Sequence, residues 1–218
     1  MKISLLQPRI RRGEIAHNRA RIQTLIEQAQ GELLVLPEYA LTGSLTLETS
    51  PNPRAWAEAC ASEKALLSIP PGKFLLLNSL VSFPDGLRNC CELLPGEEYY
   101  CKLYPDETEQ KAGILPGTQT KIFTLDGKRF SVLICFDLPH IEHIPASGLD
   151  FLLFVYHFTP YNLERVLGEA QQAARSHRLP ILVSSLVSDQ NNGNSAFIRN
   201  GLTVLLGEQP GIMEVDIE

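Results

Sequence analysis

The chain has 218 residues, 44% of them hydrophobic and 20% charged, which predicts a single globular domain over residues 1–218 and excludes a disordered chain. Nineteen Lys and Arg against 25 Asp and Glu give a net charge of −6, and the basic residues cluster only at Arg9, Arg11 and Arg12. Because phosphate binding needs a concentrated basic surface, no nucleic-acid partner is expected.

The first elements predict a β-α-β unit. Ile3 to Gln7 is a short apolar run typical of a strand. Between Gly13 and Gly31, apolar residues recur at helical spacing, which predicts one amphipathic helix. Leu33 to Leu36 is fully apolar and is closed by Pro37, so it predicts a buried strand whose end enters a loop.

Helical spacing and short apolar runs continue to alternate along the rest of the chain, with Gly, Pro, Asn and Asp at the turns. In chain order, the further predicted elements are a helix from Arg54 to Leu67 after Asn52 and Pro53, strands at Phe74 to Val81 and Asn89 to Leu94 around Pro84-Asp85-Gly86, a strand before Lys102, strands at Lys121 to Thr124 and Arg129 to Cys135 around Asp126-Gly127, a strand at Phe151 to Val155, a helix from Leu163 to Ser176, and strands at Ile181 to Ser185, Ser195 to Ile198, Gly201 to Leu206 and Ile212 to Ile217. This mixture of βα units and hairpins predicts mixed sheets.

The sequence carries no pattern typical of export or membrane insertion. The apolar stretch in Met1 to Gln7 is too short for a signal peptide, and the longest apolar runs have five or six residues, whereas a membrane helix needs about 20. A cytoplasmic location is therefore expected, with no membrane partner. The five cysteines are odd in number, so a disulfide framework is not expected. We interpret Cys60, Cys90, Cys91 and Cys101 as packing residues.

Three ionisable residues interrupt apolar runs where predicted strands end. Glu38 follows the run from Leu33, Lys102 follows Tyr99-Tyr100-Cys101, and Cys135 closes the run from Phe130. Sites of α/β proteins lie at such strand ends, so these residues are candidate site residues. Taken singly, each has a plainer interpretation as a strand-end cap, a surface lysine and a small buried apolar residue, respectively.

Taken together, the three segments resemble the Glu-Lys-Cys triad of the nitrilase superfamily, the carbon–nitrogen hydrolases. The resemblance covers nearly the whole chain, and it is carried by Leu33 to Glu38 with Thr42-Gly43, Lys102 with Pro116-Gly117, Leu133 to Asp137 with Glu142, Asn89, Arg175, Gly193 with Ser195, and the closing Gly211 to Ile217. It implies an α/β fold, a four-layer α-β-β-α sandwich of two facing mixed sheets with outer helices.

The resemblance also implies a reaction and the role of each residue. Glu38 would take the thiol proton of Cys135, whose sulfur would attack the substrate carbon and form a thioester. Lys102 and the backbone N–H of Phe136 would stabilise the developing negative charge. Neither metal nor cofactor is required. The expected substrate is a small linear amide or N-carbamoyl compound, with a nitrile as the alternative, and the family's usual pairing through the helix from Leu163 predicts a homodimer.

The resemblance implies further site residues. Many family members carry a second glutamate after the lysine, and either Glu107 or Glu109 fits; we prefer Glu109, although both could belong to a solvated acidic loop. Glu142 would match a further family carboxylate. Tyr156 and His157, which follow a predicted strand, are expected to line the substrate pocket. The connections around residues 44–73 and 136–150 are shorter than usual, so substrate specificity and oligomeric state are left open.

Two other interpretations remain at this stage. One is a cysteine–histidine hydrolase in which His140, His143 or His157 acts as the base, because such partners meet in space and not in sequence. The other is a catalytically silent member of the same fold that serves as a binding or assembly module. A zinc site at His140 and His143 is not expected, since no further ligand at suitable spacing accompanies them.

Overall fold

Two six-stranded mixed sheets face each other, and helices cover the outer surface of each. The structure is a computed structural model that describes residues 1–44, 52–145 and 147–218. The four-layer α/β sandwich expected from the sequence is thereby confirmed. The expected compact connections around residues 44–73 and 136–150 lie partly outside the described residues.

The first sheet has the strand order β12-β1-β2-β3-β4-β5. Its strands are β1 (Lys2–Gln7), β2 (Leu33–Val35), β3 (Phe74–Phe83), β4 (Gly86–Leu94), β5 (Glu98–Cys101) and β12 (Gly211–Asp216). β1, β2 and β3 are parallel neighbours, and the other pairs are antiparallel. β5 therefore runs in the same direction as β2, and the two strands end at the same edge of the sheet.

The second sheet has the order β11-β10-β9-β8-β7-β6. Its strands are β6 (Ile122–Leu125), β7 (Lys128–Ile134), β8 (Phe151–Val155), β9 (Ile181–Ser184), β10 (Ala196–Arg199) and β11 (Leu202–Leu205). β7, β8 and β9 are parallel, and the outer pairs are antiparallel. Parallel neighbours in the middle place the ends of β7 and β8 side by side.

Alternation of side chains along each strand builds the layers. In β7, Val132 and Ile134 pack between the two sheets, whereas Leu133 points to the outer helical layer. The same alternation separates Leu33 and Val35 from Leu34 in β2. The strands are apolar on both faces because both faces are covered.

Four α-helices occur among the described residues. They are α1 (Ile15–Gln28), α2 (Pro53–Lys64), α3 (Glu107–Lys111) and α4 (Leu163–His177), and a 3₁₀ segment, Cys135–His143, follows β7. α1 and α2 cover the first sheet, and α4 covers the second. Asn52 caps α2 and Pro53 occupies its first turn, as predicted. None of the described helices combines the length and apolar composition that crossing a membrane requires.

Two features differ from the sequence-based expectations. α3 was not predicted, because its five residues are too few to show a helical period; a capping box between Asp106 and Glu109 holds it. The expectation of reduced packing cysteines was wrong for Cys90 and Cys101, which form a disulfide. The two residues are direct cross-strand partners in β4 and β5, a pairing set by strand register.

Candidate active site

Four ionisable side chains come together where strands end at one end of the sandwich. Glu38 and Lys102 follow β2 and β5 of the first sheet, and Cys135 and His157 follow β7 and β8 of the second. Cys135 has a backbone φ of +46°. A residue with a Cβ rarely adopts this left-handed conformation, and such strain is concentrated at functional sites. The geometry is therefore that of a sharp turn presenting the cysteine.

The centre of this site is a buried cluster of one ammonium and two carboxylates. Lys102 Nζ lies 3.1 Å from Glu38 Oε1 and 2.7 Å from Glu109 Oε2, and all three side chains are only 1% exposed. A lysine with so little access to water is rare unless opposite charges pair with it. The ammonium is thus held in a fixed position beside Cys135.

A second set of hydrogen bonds orients the two carboxylates. Asn89 Nδ2 donates to Glu38 Oε1 at 3.0 Å and to Glu109 Oε1 at 2.8 Å. The Tyr39 hydroxyl also donates to Glu109 Oε1, at 2.5 Å. Asn78 Nδ2 donates to Asn89 Oδ1 at 2.7 Å, which leaves only the amide nitrogen of Asn89 to face the carboxylates. Asn78 in turn accepts the backbone N–H of Tyr39 through Oδ1, at 2.8 Å.

Burial and charge give the two carboxylates opposite properties. Burial raises the pKa of Glu38 to about 7, an effect that Lys102 only partly offsets. Burial also works against ionisation of Glu109, but the charge and hydrogen bond of Lys102, with hydrogen bonds from Tyr39 and Asn89, outweigh it and lower the pKa of Glu109. Glu109 is therefore ionised at neutral pH, whereas Glu38 can gain and lose a proton near neutral pH.

The same balance keeps Lys102 charged and the Cys135 thiol protonated. Burial alone would lower the pKa of Lys102, but Glu38, Cys135 and Glu109 together raise it well above the usual range. The pKa of Cys135 is raised by burial and by Glu38, and Lys102 offsets only part of this rise. Cys135 is thus a neutral thiol at neutral pH, and not a preformed thiolate.

Asp137, two residues after the cysteine, ties the two sheets together at the site. Its carboxylate accepts the Tyr100 hydroxyl at 2.7 Å, the Ile134 N–H at 3.0 Å, and the N–H groups of Leu103 and Tyr104 at 3.1 Å each. One side chain therefore holds the loop after Lys102 against the turn at Cys135. The sequence analysis gave Asp137 no role of its own.

Pro116-Gly117 supports the backbone at Lys102. Gly117 N–H donates to the Lys102 carbonyl at 2.7 Å. A Cβ at position 117 would collide with the carbonyl oxygen of Cys101, so only glycine permits this close approach. The pair of residues noted in the sequence thus positions the chain that carries the lysine.

Tyr156 and His157 flank the site from the end of β8. The Tyr156 hydroxyl accepts a hydrogen bond from Asn162 at 3.1 Å, and its ring stacks on His157. His157 Nδ1 lies 3.2 Å from Glu38 Oε2. Burial, aided by the charge of Lys102, lowers the pKa of His157 to about 4, so the imidazole is neutral and this contact is not an ion pair. Both side chains border the cluster, and His157 contacts it directly.

The remaining expected site residues lie outside the buried cluster. Glu107 is exposed and pairs with Lys111, so the structure brings Glu109 into the cluster and not Glu107. Glu142 is 63% exposed on the 3₁₀ segment. The Phe136 side chain is also exposed. It borders a surface groove of about 540 Å³, whose walls include Leu103 beside Lys102.

His140, Glu142 and His143 form a separate surface group whose ligand atoms lie within 4.8 Å of one another. The Tyr104 ring stacks on His140, and its hydroxyl contacts His143 Nδ1. No metal site was expected here. His140 is half-buried, and Glu142 and His143 are exposed. Neither histidine of this group is positioned as a base within the buried cluster.

The residues that sequence reasoning missed are Tyr39, Asn78 and Asp137. Their partners lie far away in the chain or on another strand: Tyr39 contacts Glu109 across 70 positions, and Asn78 contacts Asn89 across 11. The signals that could have found them are local. Tyr39 adjoins Glu38, and Asp137 is the second residue after Cys135.

Comparison with known proteins identifies the fold. No family model matches the sequence, and no curated protein sequence does. Among solved structures, the amidase NitN from Nesterenkonia sp. AN1 superposes with a TM-score of 0.81 at 20% identity, over 100% of this chain and 93% of that one. XC1258 from Xanthomonas campestris, a CN-hydrolase superfamily protein with an arsenic adduct in its active site, has a TM-score of 0.79 at 20% identity, over 100% and 90%.

A larger enzyme contains the same fold. The glutamine-dependent NAD⁺ synthetase from Acinetobacter baumannii has a TM-score of 0.83 at 20% identity, and it matches 98% of this chain. The chain spans only 44% of that protein. At such identities, the similarity establishes a shared fold.

Proposed function

We propose that the protein is a carbon–nitrogen hydrolase of the amidase type with Cys135 as its nucleophile. The observation that carries this proposal is the Lys102 ammonium, buried between Glu38 and Glu109 beside a cysteine in a strained turn. A buried cation next to a neutral thiol and a carboxylate with a pKa near 7 supplies the three groups that acyl transfer requires.

In the proposed reaction, Glu38 removes the thiol proton as sulfur attacks the substrate carbonyl. The carbonyl oxygen gains negative charge, which Lys102 and the Phe136 backbone N–H stabilise. Glu38 then passes its proton to the leaving nitrogen, and a thioester remains on Cys135. Water, activated by Glu38, releases the acid. Glu109 holds Lys102 in position, and the reaction needs neither metal nor cofactor.

The substrate class is proposed from the family resemblance, with support from the surroundings of the site. The groove borders Leu103 and Phe136, which follow Lys102 and Cys135 in the chain, and its volume suits a small molecule. A small linear amide or N-carbamoyl compound is proposed from the family resemblance. A nitrile remains the alternative, because the same thiol attack applies to it. Support for an amide comes from the fold shared with NitN, which is an amidase.

We also propose a cytoplasmic homodimer that pairs through α4. Tyr161, just before this helix, is exposed, as are Leu202, Val204 and Leu205 on β11. Gln171 on α4 donates to Thr203 Oγ1 of β11, so Thr203 and, two positions further on, Leu205 lie on the face that α4 covers. Exposed apolar residues beside a helix, such as Tyr161 and Leu205, are typical of interaction surfaces. Sedimentation of the purified protein tests the dimer.

The activity is tested by trapping the acyl-enzyme. The protein is incubated with a library of amides and activated esters, and intact mass reports any adduct, which hydroxylamine should remove if it is a thioester. The adduct should disappear in Cys135→Ala and persist in Cys60→Ala. Cys60 is the matched control because it is a buried free thiol whose pKa is raised by burial to about 12.

The outcomes separate the proposal from its rivals. Turnover by Cys135→Ala would exclude the cysteine mechanism. Absence of both adduct and turnover across the library would favour a silent binding module. Loss of acylation on replacing His140, His143 or His157, with Glu38→Gln still active, would favour a cysteine–histidine enzyme. His140 and His143 form a separate surface group with Glu142, which opposes a role as base for either of them.

A further inference from the structure

The two oxygens of Glu38 have very different surroundings. Oε1 accepts hydrogen bonds from Lys102 and from Asn89. Oε2 is buried, and no described residue donates a hydrogen bond to it. Oε2 is therefore the oxygen with a free lone pair for proton transfer to and from the reacting groups.

His157 Nδ1 also lacks a hydrogen-bond partner among the described residues, and it faces Glu38 Oε2. The nitrogen is buried as well. The two atoms are 3.2 Å apart, but their orientation does not form a hydrogen bond with each other. The imidazole side chain is only 13% exposed, so bulk water does not freely satisfy it. Two adjacent buried polar atoms without partners are unusual, because each one costs stability unless a ligand satisfies it.

We propose that Glu38 Oε2 and His157 Nδ1 together form the subsite for the leaving nitrogen, and that the substrates are primary amides, which release ammonia. This inference rests on the proposed amidase function. In the Nε2–H tautomer of neutral His157, Nδ1 is an acceptor, and an –NH₂ group is the simplest group that can donate to both atoms. His157 then recognises the leaving group, and not the acyl chain.

The acylation step needs no proton donor or acceptor other than the Cys135 thiol, Glu38 and the substrate. As the C–S bond forms, the thiol proton moves to Oε2 and the carbonyl π electrons move to oxygen. The nitrogen lone pair then takes the proton from Oε2, the oxyanion electrons re-form the C=O bond of the thioester, and the C–N electron pair leaves with the nitrogen as ammonia. One N–H donates to His157 Nδ1 throughout, which turns the nitrogen lone pair towards Oε2.

The need for two donors gives the specificity. An N-alkyl substituent replaces one of the two hydrogens that donate to Glu38 Oε2 and His157 Nδ1. An ester has no leaving-group hydrogen at all, so His157 contributes nothing to its reaction. Primary amides should therefore depend on His157, and esters with the same acyl group should not.

The experiment compares acylation rates of Cys135 by two classes of probe in matched variants. The probes are the primary amides acetamide, propionamide and butyramide, and the corresponding p-nitrophenyl esters. His157→Phe keeps a planar ring and removes the acceptor; His157→Asn restores an acceptor; His177→Phe, at the end of α4, is the control. In His157→Phe, kcat/KM for the amides should fall about tenfold, the loss expected for one hydrogen bond, with ester acylation unchanged. His157→Asn should recover part of the loss.

The readouts distinguish failure of the inference from failure of the function. If neither probe acylates Cys135 in the unmodified protein, the amidase proposal falls, and the inference with it. If the protein is acylated but His157→Phe lowers the amide and ester rates equally, the leaving-group subsite is overturned while the hydrolase proposal stands. The same conclusion follows if His157→Phe changes neither rate. Faster reaction with N-methyl amides than with primary amides would also overturn it.

Discussion

Replacing Lys102 with methionine should destabilise the fold far more than removing an exposed lysine does. Methionine keeps most of the apolar stem but deletes the ammonium that donates to Glu38 at 3.1 Å and to Glu109 at 2.7 Å. Two buried carboxylates are then left facing each other, since Asn89 bridges them. Breaking a buried ion pair in this way costs about 3 to 5 kcal/mol. We expect Lys102→Met to lower the free energy of unfolding by that amount at about pH 8.

The pH dependence of this loss identifies its cause. Without the ammonium, burial and mutual repulsion raise the pKa of Glu38 and of Glu109 above their values in the unmodified protein. The folded variant then binds protons that the folded parent does not bind. Its stability deficit must therefore shrink as the pH falls and grow as the pH rises, by up to about 1.4 kcal/mol per pH unit for each proton.

Urea unfolding followed by circular dichroism, at about pH 6 and about pH 8, measures both effects. Lys111→Met is the matched control. Its ammonium pairs with Glu107 on the surface of α3 and is 74% exposed, so its loss should cost less than about 0.5 kcal/mol at either pH. Equal destabilisation by the two variants, or a Lys102→Met deficit that grows as the pH falls, would refute the description of a buried ionised cluster.

Three further predictions concern the site and its surroundings. In the proposed reaction, Glu38 must be deprotonated to accept the thiol proton, and its pKa is about 7. Between about pH 5 and about pH 9, kcat/KM should therefore rise with pH, with its midpoint near the pKa of Glu38. A profile that is flat across this range would contradict the role of Glu38 as base. Asn78→Asp keeps the acceptor for the Tyr39 N–H but cannot donate to Asn89, so the Asn89 amide loses its fixed orientation. The value of kcat/KM should drop about tenfold or more. An unchanged value would show that this orientation is not needed. Denatured, unreduced protein should take up three iodoacetamide groups, one on each free cysteine, and reduced protein should take up five. Uptake of five groups without reduction would exclude the Cys90–Cys101 disulfide.

Much of the fold follows from local patterns in the sequence. The turn at Pro84-Asp85-Gly86 lies between β3 and β4, and Asp126-Gly127 lies between β6 and β7 with both residues at positive φ, as their types predict. The apolar run from Phe151 is a strand buried on both faces. Such elements are predictable because turn geometry and the spacing of apolar residues along a strand or helix depend only on residues that are near in sequence.

The site was only partly predictable, because its details depend on contacts between distant segments. The resemblance pointed to Glu38, Lys102 and Cys135, and the structure brings these strand ends together. It did not distinguish Glu109 from Glu107, a choice that depends on how α3 is oriented by its cap at Asp106. The disulfide and the Asn78–Asn89 contact depend on strand register, which no local pattern specifies.

The division of the site between the two sheets has a mechanical consequence. Glu38 and Lys102 follow strands of one sheet and Cys135 follows a strand of the other, so the thickness of the apolar layer between the sheets sets the distance between the proposed base and the proposed nucleophile. Stacked sheets lie about 10 Å apart, and a misplacement of about 1 Å can reduce a rate a hundredfold. In the proposed reaction, side chains buried in this layer, such as Phe130, would thus influence the rate through the thickness of the layer that they fill.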